Sequence, residues 1–365
     1  MGGGGLKGFA HIGVLQALAA RGITPAVYAG TSIGALMAAA HACGVSTGEM
    51  AERAQRLQRR DLFRINHVGM VLERMRSPSL YLEAPLRALV AAVVPKRRFR
   101  DLPVPVLVNT VDIERGTQVV WGLPGLTDAW VDEAVYASCA LPGFFPPGKV
   151  AGRLCIDGGT VDNLPVHFAA TLGVDAVIAV DVGSGEPAHA RHIALQGFAA
   201  IFMRAATTMM GALQRGQLRR HRRPPLLLIR PAISHVDWFT FGQAEALIAE
   251  GQRAAELALA DLDGCLAASE GIYPRRRVRV SVDRARCIGC GICVALAPET
   301  MTFGGERIAR PLQEEFTWSP ADGDFVRQCP TQAIVARDVT EPGMLDAAEQ
   351  PVPPALRGPR IRRHA

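Results

Sequence analysis

The sequence predicts an α/β fold, a sandwich built on a largely parallel sheet, with a second and smaller domain after it. Three observations lead there. The chain has 365 residues, enough for one sizeable core and something smaller. As far as about residue 270, short β-branched apolar runs alternate with helical periodicity, the pattern of strand–helix units around a parallel sheet. Near Gly271 that pattern stops, and an Arg/Val alternation followed by a cysteine cluster takes over.

The elements follow in order. A glycine run, Gly2 to Gly8, precedes His11 to Leu15, which begins a helix. Ala26 to Ala29 reads as a strand entering a turn, and Ile33 to Cys43 as the buried helix after it. Thr47 to Arg60 and Gly242 to Leu262 carry helical periodicity with charge on one face. Val104 to Asp112, Ala176 to Asp181 and Leu226 to Ile229 are apolar runs of strand length. Residues 186–224 have mixed helical character with basic residues, a surface excursion beside the site. Arg275 to Val282 alternates as a half-exposed strand does, and Ala333 to Ala336 is a second short strand. The expected domains are 1–270 and 271–338, with 339–365 a disordered tail rich in Pro and Arg.

Composition limits the function classes. Hydrophobic residues make up 49% and charged residues 20%, a globular balance. The net charge of +6 is local. It sits in Arg219 to Arg223, Arg275 to Arg279 and Arg357 to Arg363. No aromatic residues interleave with these runs, which argues against nucleic-acid binding. Such runs form solvated surface or attract anionic lipid headgroups. Ile23 to Gly48 lacks Asp, Glu, Lys and Arg, but Pro25, Gly30, Thr31, Ser32 and Gly34 break it. A buried strand, turn and helix fit it better than a bilayer span. No basic n-region with a following apolar stretch opens the sequence. The expectation is a reducing cytoplasm, with peripheral contact to the inner face of the membrane.

Gly30-Thr31-Ser32-Ile33-Gly34 is a G-x-S-x-G turn between strand and helix. A nucleophilic serine must project from a turn too tight for bulky neighbours, and a helix N-terminus places positive potential beside a developing oxyanion. The glycine run leaves backbone N–H groups free to converge on an anion, as a phosphate cradle or an oxyanion hole. No G-K-[ST] follows, so the Walker pattern is absent. Asp157-Gly158-Gly159, after the short strand Arg153 to Ile156, reads alone as a turn. With the other two elements it completes the parts of acyl transfer: nucleophile, anion donors and carboxylate base. A Ser–His–Asp triad is the internal rival, and His235 is its best-placed histidine. His11 reads as a packing or hydrogen-bonding residue behind the glycine loop.

Cys287-Ile288-Gly289-Cys290-Gly291-Ile292-Cys293, with Cys329-Pro330 further on, forms a metal-ligand pattern. Three thiolates at this spacing wrap one face of a cubane cluster, and small glycines let N–H groups approach its sulfurs. Zinc is the alternative, although its ribbons pair two separate C-x-x-C knuckles. Disulfides do not suit a reducing compartment.

Gly3-Gly4-Gly5-Leu6-Lys7-Gly8, Gly30-Thr31-Ser32-Ile33-Gly34 and Asp157-Gly158-Gly159 resemble, in order, the three signatures of bacterial patatin-like phospholipases. Ala137 to Pro147 and Val161 to Val166 match the flanking text, so the resemblance spans about residues 2–260. It implies a patatin-like α/β/α sandwich and a Ser32–Asp157 dyad acting on acyl lipids such as phospholipid or lysophospholipid. It also implies an oxyanion hole from the amides of Gly3, Gly4 and Gly5, supported by Lys7, Gly8, Gly30, Gly34, Gly158 and Gly159. Family members usually carry an apolar strand before the glycine run. This sequence opens on the run itself, so either that strand lies upstream or the sheet lacks it. Residues 277–337 resemble a single-cluster bacterial ferredoxin, with Ala297-Pro298 and Cys329 to Ile334 in support. That resemblance implies a small α+β domain and one [4Fe–4S] cluster on Cys287, Cys290, Cys293 and Cys329. The leading expectation is therefore an ester hydrolase. The alternative is a redox or electron-transfer protein, with a redox partner, whose first domain binds lipid or a partner and catalyses little.

Overall fold

Tyr28–Thr31 (β1) and Val106–Asp112 (β2) pair in parallel, with Tyr28 opposite Val106 and Thr31 opposite Asn109. The computed structural model describes residues 1–66, 79–183 and 197–339. It divides the chain into two units, Met1–Gly271 and the part from Ile272 onward. The expected tail lies, from residue 340, outside the described residues, as does residues 186–196 of the surface excursion.

In the first unit every residue of β2 is buried, which is why its sequence is apolar without alternation. On one edge β2 meets Thr117–Trp121 (β3) antiparallel. Its other edge is shared. The first half takes β1, and the second takes Arg153–Asp157 (β5), antiparallel and itself paired with Gly148–Val150 (β4). Val177–Val180 (β6) and Leu226–Ile229 (β7) form a second parallel pair. The α/β class holds, with parallel pairing at β1/β2 and β6/β7 and antiparallel pairing on the Asp157 side.

Met1 and Gly2 run between β1 and β6. The Met1 ammonium donates to the Ala29 carbonyl (2.7 Å), Thr31 N–H to the Met1 carbonyl (3.2 Å) and Gly2 N–H to the Val180 carbonyl (2.9 Å). The glycine run therefore leaves from a hydrogen-bonded anchor.

Helices cover the sheet. Ala10–Ala20 (α1) follows the 3₁₀ turn Gly5–Phe9 that the glycine run feeds. Ile33–Ala42 (α2) is buried nearly throughout. Thr47–Arg56 (α3) opens on a Ser46 cap, whose Oγ accepts from Glu49 N–H (3.2 Å). The helix expected to reach Arg60 ends at Arg56, because Leu57 turns extended before a separate turn at Arg59–Leu62. Val131–Cys139 (α4), Phe198–Arg220 (α5) and Ala244–Leu259 (α6) complete the set used below. α1 and α6 cross in backbone contact. A Cβ on Gly13 would lie 1.9 Å from the Ile248 carbonyl oxygen, and one on Gly251 2.0 Å from that of Ala10.

The second unit is built on Arg276–Val282, the central strand of three, flanked antiparallel by Glu315–Trp318 and Ile334–Asp338. Its Val residues point into a core with Cys293, Met301, Phe325 and Ile334. Arg277 and Arg279 point outward, and both pair with Glu315. That basic run is therefore partly neutralised in place.

Candidate active site

Two consecutive residues of β2 bring nucleophile and carboxylate together. Asn109 pairs with Thr31 at the end of β1, and Thr110 pairs with Asp157 at the end of β5. β1 and β5 run toward each other along one edge of β2, so Ser32 and Asp157 meet where they stop. The Ser32 hydroxyl lies close enough to the Asp157 carboxylate to favour its ionised form.

Ser32 occupies the β1–α2 turn at φ 55° and ψ −128°. A side chain other than glycine in that region is strained, and such strain persists only where the surroundings over-determine it. Here they do. A Cβ on Gly30 would lie 2.5 Å from the Ala35 nitrogen, and one on Gly34 2.3 Å from the Met1 carbonyl oxygen. Gly8 leaves the same kind of room for Ile33, and Gly158 for the Asn109 backbone. Ser32 N–H donates to Ser138 Oγ (2.9 Å), and that hydroxyl donates to the Asn109 carbonyl (2.7 Å). Asn109 Nδ2 in turn donates to Thr31 Oγ1 (3.1 Å) and to the Asp162 carbonyl (2.7 Å). A buried polar network thus fixes the turn from behind.

The glycine loop needs one correction. Gly3 was expected to supply an oxyanion-hole amide, but its N–H donates to the Asn163 carbonyl (3.1 Å). Among the described residues, the amides of Gly4 and Gly5 donate to no backbone carbonyl. Gly5 lines the cavity beside Ser32. Gly3 serves by being small, since a Cβ there would lie 3.1 Å from the Ser32 Cβ. Asn163 holds Gly3 from both sides, because its side-chain amide also donates to the Gly3 carbonyl (3.1 Å). Lys7 is buried behind the loop. Burial pushes its amine below the usual lysine range, and the charges of Asp237 and Asp181 oppose that shift. His11 bonds the Gly2 carbonyl (2.8 Å), and burial pushes it down to about 3. His235 is exposed, and among the described residues no histidine lines the cavity at Ser32.

That cavity has a volume of about 410 Å³ and apolar walls, with Leu36, Met37, Phe63, Leu86, Phe145 and Phe239 among its lining. Ser32 and Asp157 lie on its surface. The Asp157 carboxyl is raised to about 6, first by burial, with the Ser32 hydroxyl and the Gly159 amide (2.8 Å) acting against the rise. It is therefore a base of nearly imidazole strength. Ser138, Asn109 and Asn163 drew no assignment from the sequence. Ser138 and Asn163 lie within the flanking segments that carry the family resemblance, the one signal that marks them.

In the second unit, Cys293 is in the core, Cys290 is exposed, and Cys287 and Cys329 are half-buried. Burial raises the Cys293 thiol, and Cys287 and Cys329 pack against the core that holds it. Gly289 and Gly291 turn the loop at φ 68° and 82°. Ala333 N–H donates to Cys329 Sγ (3.3 Å). Among the described residues no three His, Cys, Asp or Glu side chains converge as one bare metal ion requires. A [4Fe–4S] cube requires one thiolate for each iron around a cage, together with N–H groups aimed at sulfur. The donor set and loop fit such a group.

Residues 1–170 match the family model described as patatin-like phospholipase, and residues 280–336 match the 4Fe-4S single cluster domain. An uncharacterized NTE family protein of Mycobacterium tuberculosis is 36% identical over 191 residues, which are 52% of this chain and 50% of that protein. Patatin-like phospholipase domain-containing protein 7 of Rattus norvegicus is 34% identical over 188 residues, 50% of this chain and 13% of that protein. This chain thus spans half or less of these relatives. The crystal structure of VipD from Legionella pneumophila aligns with 16% identity and a TM-score of 0.38, covering 71% of this chain and 66% of that one. Among the described residues no helix is long and apolar enough to cross a membrane.

Proposed function

From a chain that carries a patatin-like phospholipase domain followed by a 4Fe-4S single cluster domain, we propose a serine acyl hydrolase that cleaves fatty-acyl esters of phospholipids, lysophospholipids or related lipids. One observation carries the reading: Ser32, held in a strained turn, sits beside a buried carboxylate at the wall of an apolar cavity. The hydrolase domain takes in residues 1–270 and the iron–sulfur domain residues 271–338.

Asp157 accepts the Ser32 proton as Oγ attacks the ester carbonyl, while the acyl chain lies in the cavity. The Gly4 and Gly5 amides donate to the tetrahedral oxyanion, a contribution worth about a hundredfold or more in rate for each donor. The intermediate collapses to acyl-Ser32, and Asp157 returns the proton to the departing alcohol. Water, deprotonated by Asp157, then attacks the acyl carbon. Ser32 Oγ leaves with that proton, and the fatty acid is released. The raised Asp157 carboxyl supports a dyad without histidine, because a base near 6 is mostly ionised at neutral pH and still strong enough to take a proton.

Cys287, Cys290, Cys293 and Cys329 would hold one [4Fe–4S] cluster, which supplies a one-electron redox centre when bound. Ester hydrolysis transfers no electrons, so the cluster serves a partner protein or the fold of its own unit. The exposed Arg219 and Arg220 support peripheral contact with anionic membrane from the cytoplasm.

The test is turnover of acyl esters by the purified chain with its iron loaded, beside Ser32→Ala and Asp157→Asn. Turnover that both substitutions abolish supports the dyad. An inert wild type sinks it and leaves the redox reading in its place.

A further inference from the structure

Helix α5 is amphipathic in an inverted sense. Its buried face carries Met210, Gln214 and Leu218, and two of its glutamines bind the loop after Asp157. Asn163 Nδ2 donates to Gln214 Oε1 (3.3 Å), and Gln217 Nε2 to the Val161 carbonyl (3.4 Å). The outer face is apolar. Ile201, Met209 and Leu213 are 48%, 60% and 48% exposed, with exposed Ala205 and Ala212 between them. At 100° per residue these five share one stripe about 18 Å long. The exposed Arg219 and Arg220 continue the stripe at the C-terminal end. A soluble surface does not need such a stripe, whereas a helix lying in a lipid interface does.

We propose that the outer face of α5 docks on an anionic bilayer, sinking Ile201, Met209 and Leu213 among the acyl chains while Arg219 and Arg220 meet lipid phosphates. The inference rests on the acyl-lipid reading only for its choice of surface. The inner face of the same helix grips the loop next to Asp157, so docking would bring the lipid surface to the helix that borders the dyad. A second copy of the chain is the competing occupant, and the oligomeric state of the stripe variants tells the two apart.

The test is co-sedimentation of the full, iron-loaded chain carrying Ser32→Ala, so that no lipid is consumed and binding is read apart from hydrolysis. The vesicles are phosphatidylcholine with and without phosphatidylglycerol. The Ser32→Ala chain is expected to prefer the anionic vesicles and to lose that preference as salt rises. Met209→Glu with Leu213→Glu should weaken partitioning by about tenfold for each side chain withdrawn. Arg219→Glu with Arg220→Glu should cost about fivefold or more for each charge, and only on anionic vesicles. Iron content and melting temperature report whether each variant is folded, and Met209→Ser with Leu213→Ser repeats the first test without added charge. Equal binding by folded variants overturns the proposal. So does a dimer in solution that the stripe variants turn into a monomer.

Discussion

Replacing Asp157 by Asn should abolish ester hydrolysis and at the same time stabilise the fold at neutral pH. The buried carboxyl is raised from its ordinary 3.8 to about 6 by burial, despite the nearby Ser32 hydroxyl and the bond from Gly159. The folded chain therefore binds this proton more tightly than the unfolded chain. Above pH 6 both states are ionised, and the folded state bears the whole cost, about 3 kcal/mol. Between 6 and 3.8 the folded state takes up the proton first, so the cost shrinks to roughly half at pH 5 and vanishes below 3.8. Asparagine has the same shape and no charge, and its carbonyl still accepts from Gly159. Asp157→Asn should melt several degrees above wild type at pH 8, at about 2–4 °C per kcal/mol for a unit of this size. The gap should close as pH falls toward 4. Scanning calorimetry of both proteins from pH 4 to 8 measures it. A variant that melts at or below the wild-type temperature at pH 8, or a gap that does not vary with pH, refutes the account of Asp157.

Three further outcomes are expected. The kcat/KM on a soluble short-chain ester should rise through a single ionisation near 6, about tenfold between pH 5 and 7, and a profile flat over that range would contradict a carboxylate base. Asn163→Ala removes the donor to the Gly3 carbonyl, so kcat should fall about ten- to a hundredfold with KM little changed; an unchanged kcat would free the glycine loop from its clamp. Cys293→Ser puts a hydroxyl into an apolar core and removes one thiolate, so bound iron and the cluster's visible absorption should drop together, and full iron content would remove Cys293 from the ligand set.

Much of the site is legible in one dimension, because its chemistry depends on local turns. Gly30 and Gly34 announce a turn too tight for side chains, and the apolar runs Val104 to Asp112 and Leu226 to Ile229 announce buried strands. What spacing does not carry is register. That Asn109 receives Thr31 while the next residue receives Asp157 depends on pairing between distant segments, and so does the antiparallel half of the sheet. The spent amide of Gly3 is hidden for the same reason, since Asn163, its acceptor, comes from a loop far along the chain. The apolar cavity is assembled from α2, Phe63, Leu86, Phe145 and Phe239, none of which looks special in sequence. α5 misleads a burial pattern outright, because its apolar stripe faces outward and its glutamines face in.

The most direct test of the central claim is labelling by a fluorophosphonate, which captures an activated serine as the acyl chain would. Intact-mass analysis should find one adduct per chain, peptide mapping should place it on Ser32, and Ser32→Ala should lose it while Asp157→Asn slows it strongly. A wild-type chain that hydrolyses esters but carries no adduct on Ser32, or whose labelling survives Ser32→Ala, would contradict the account.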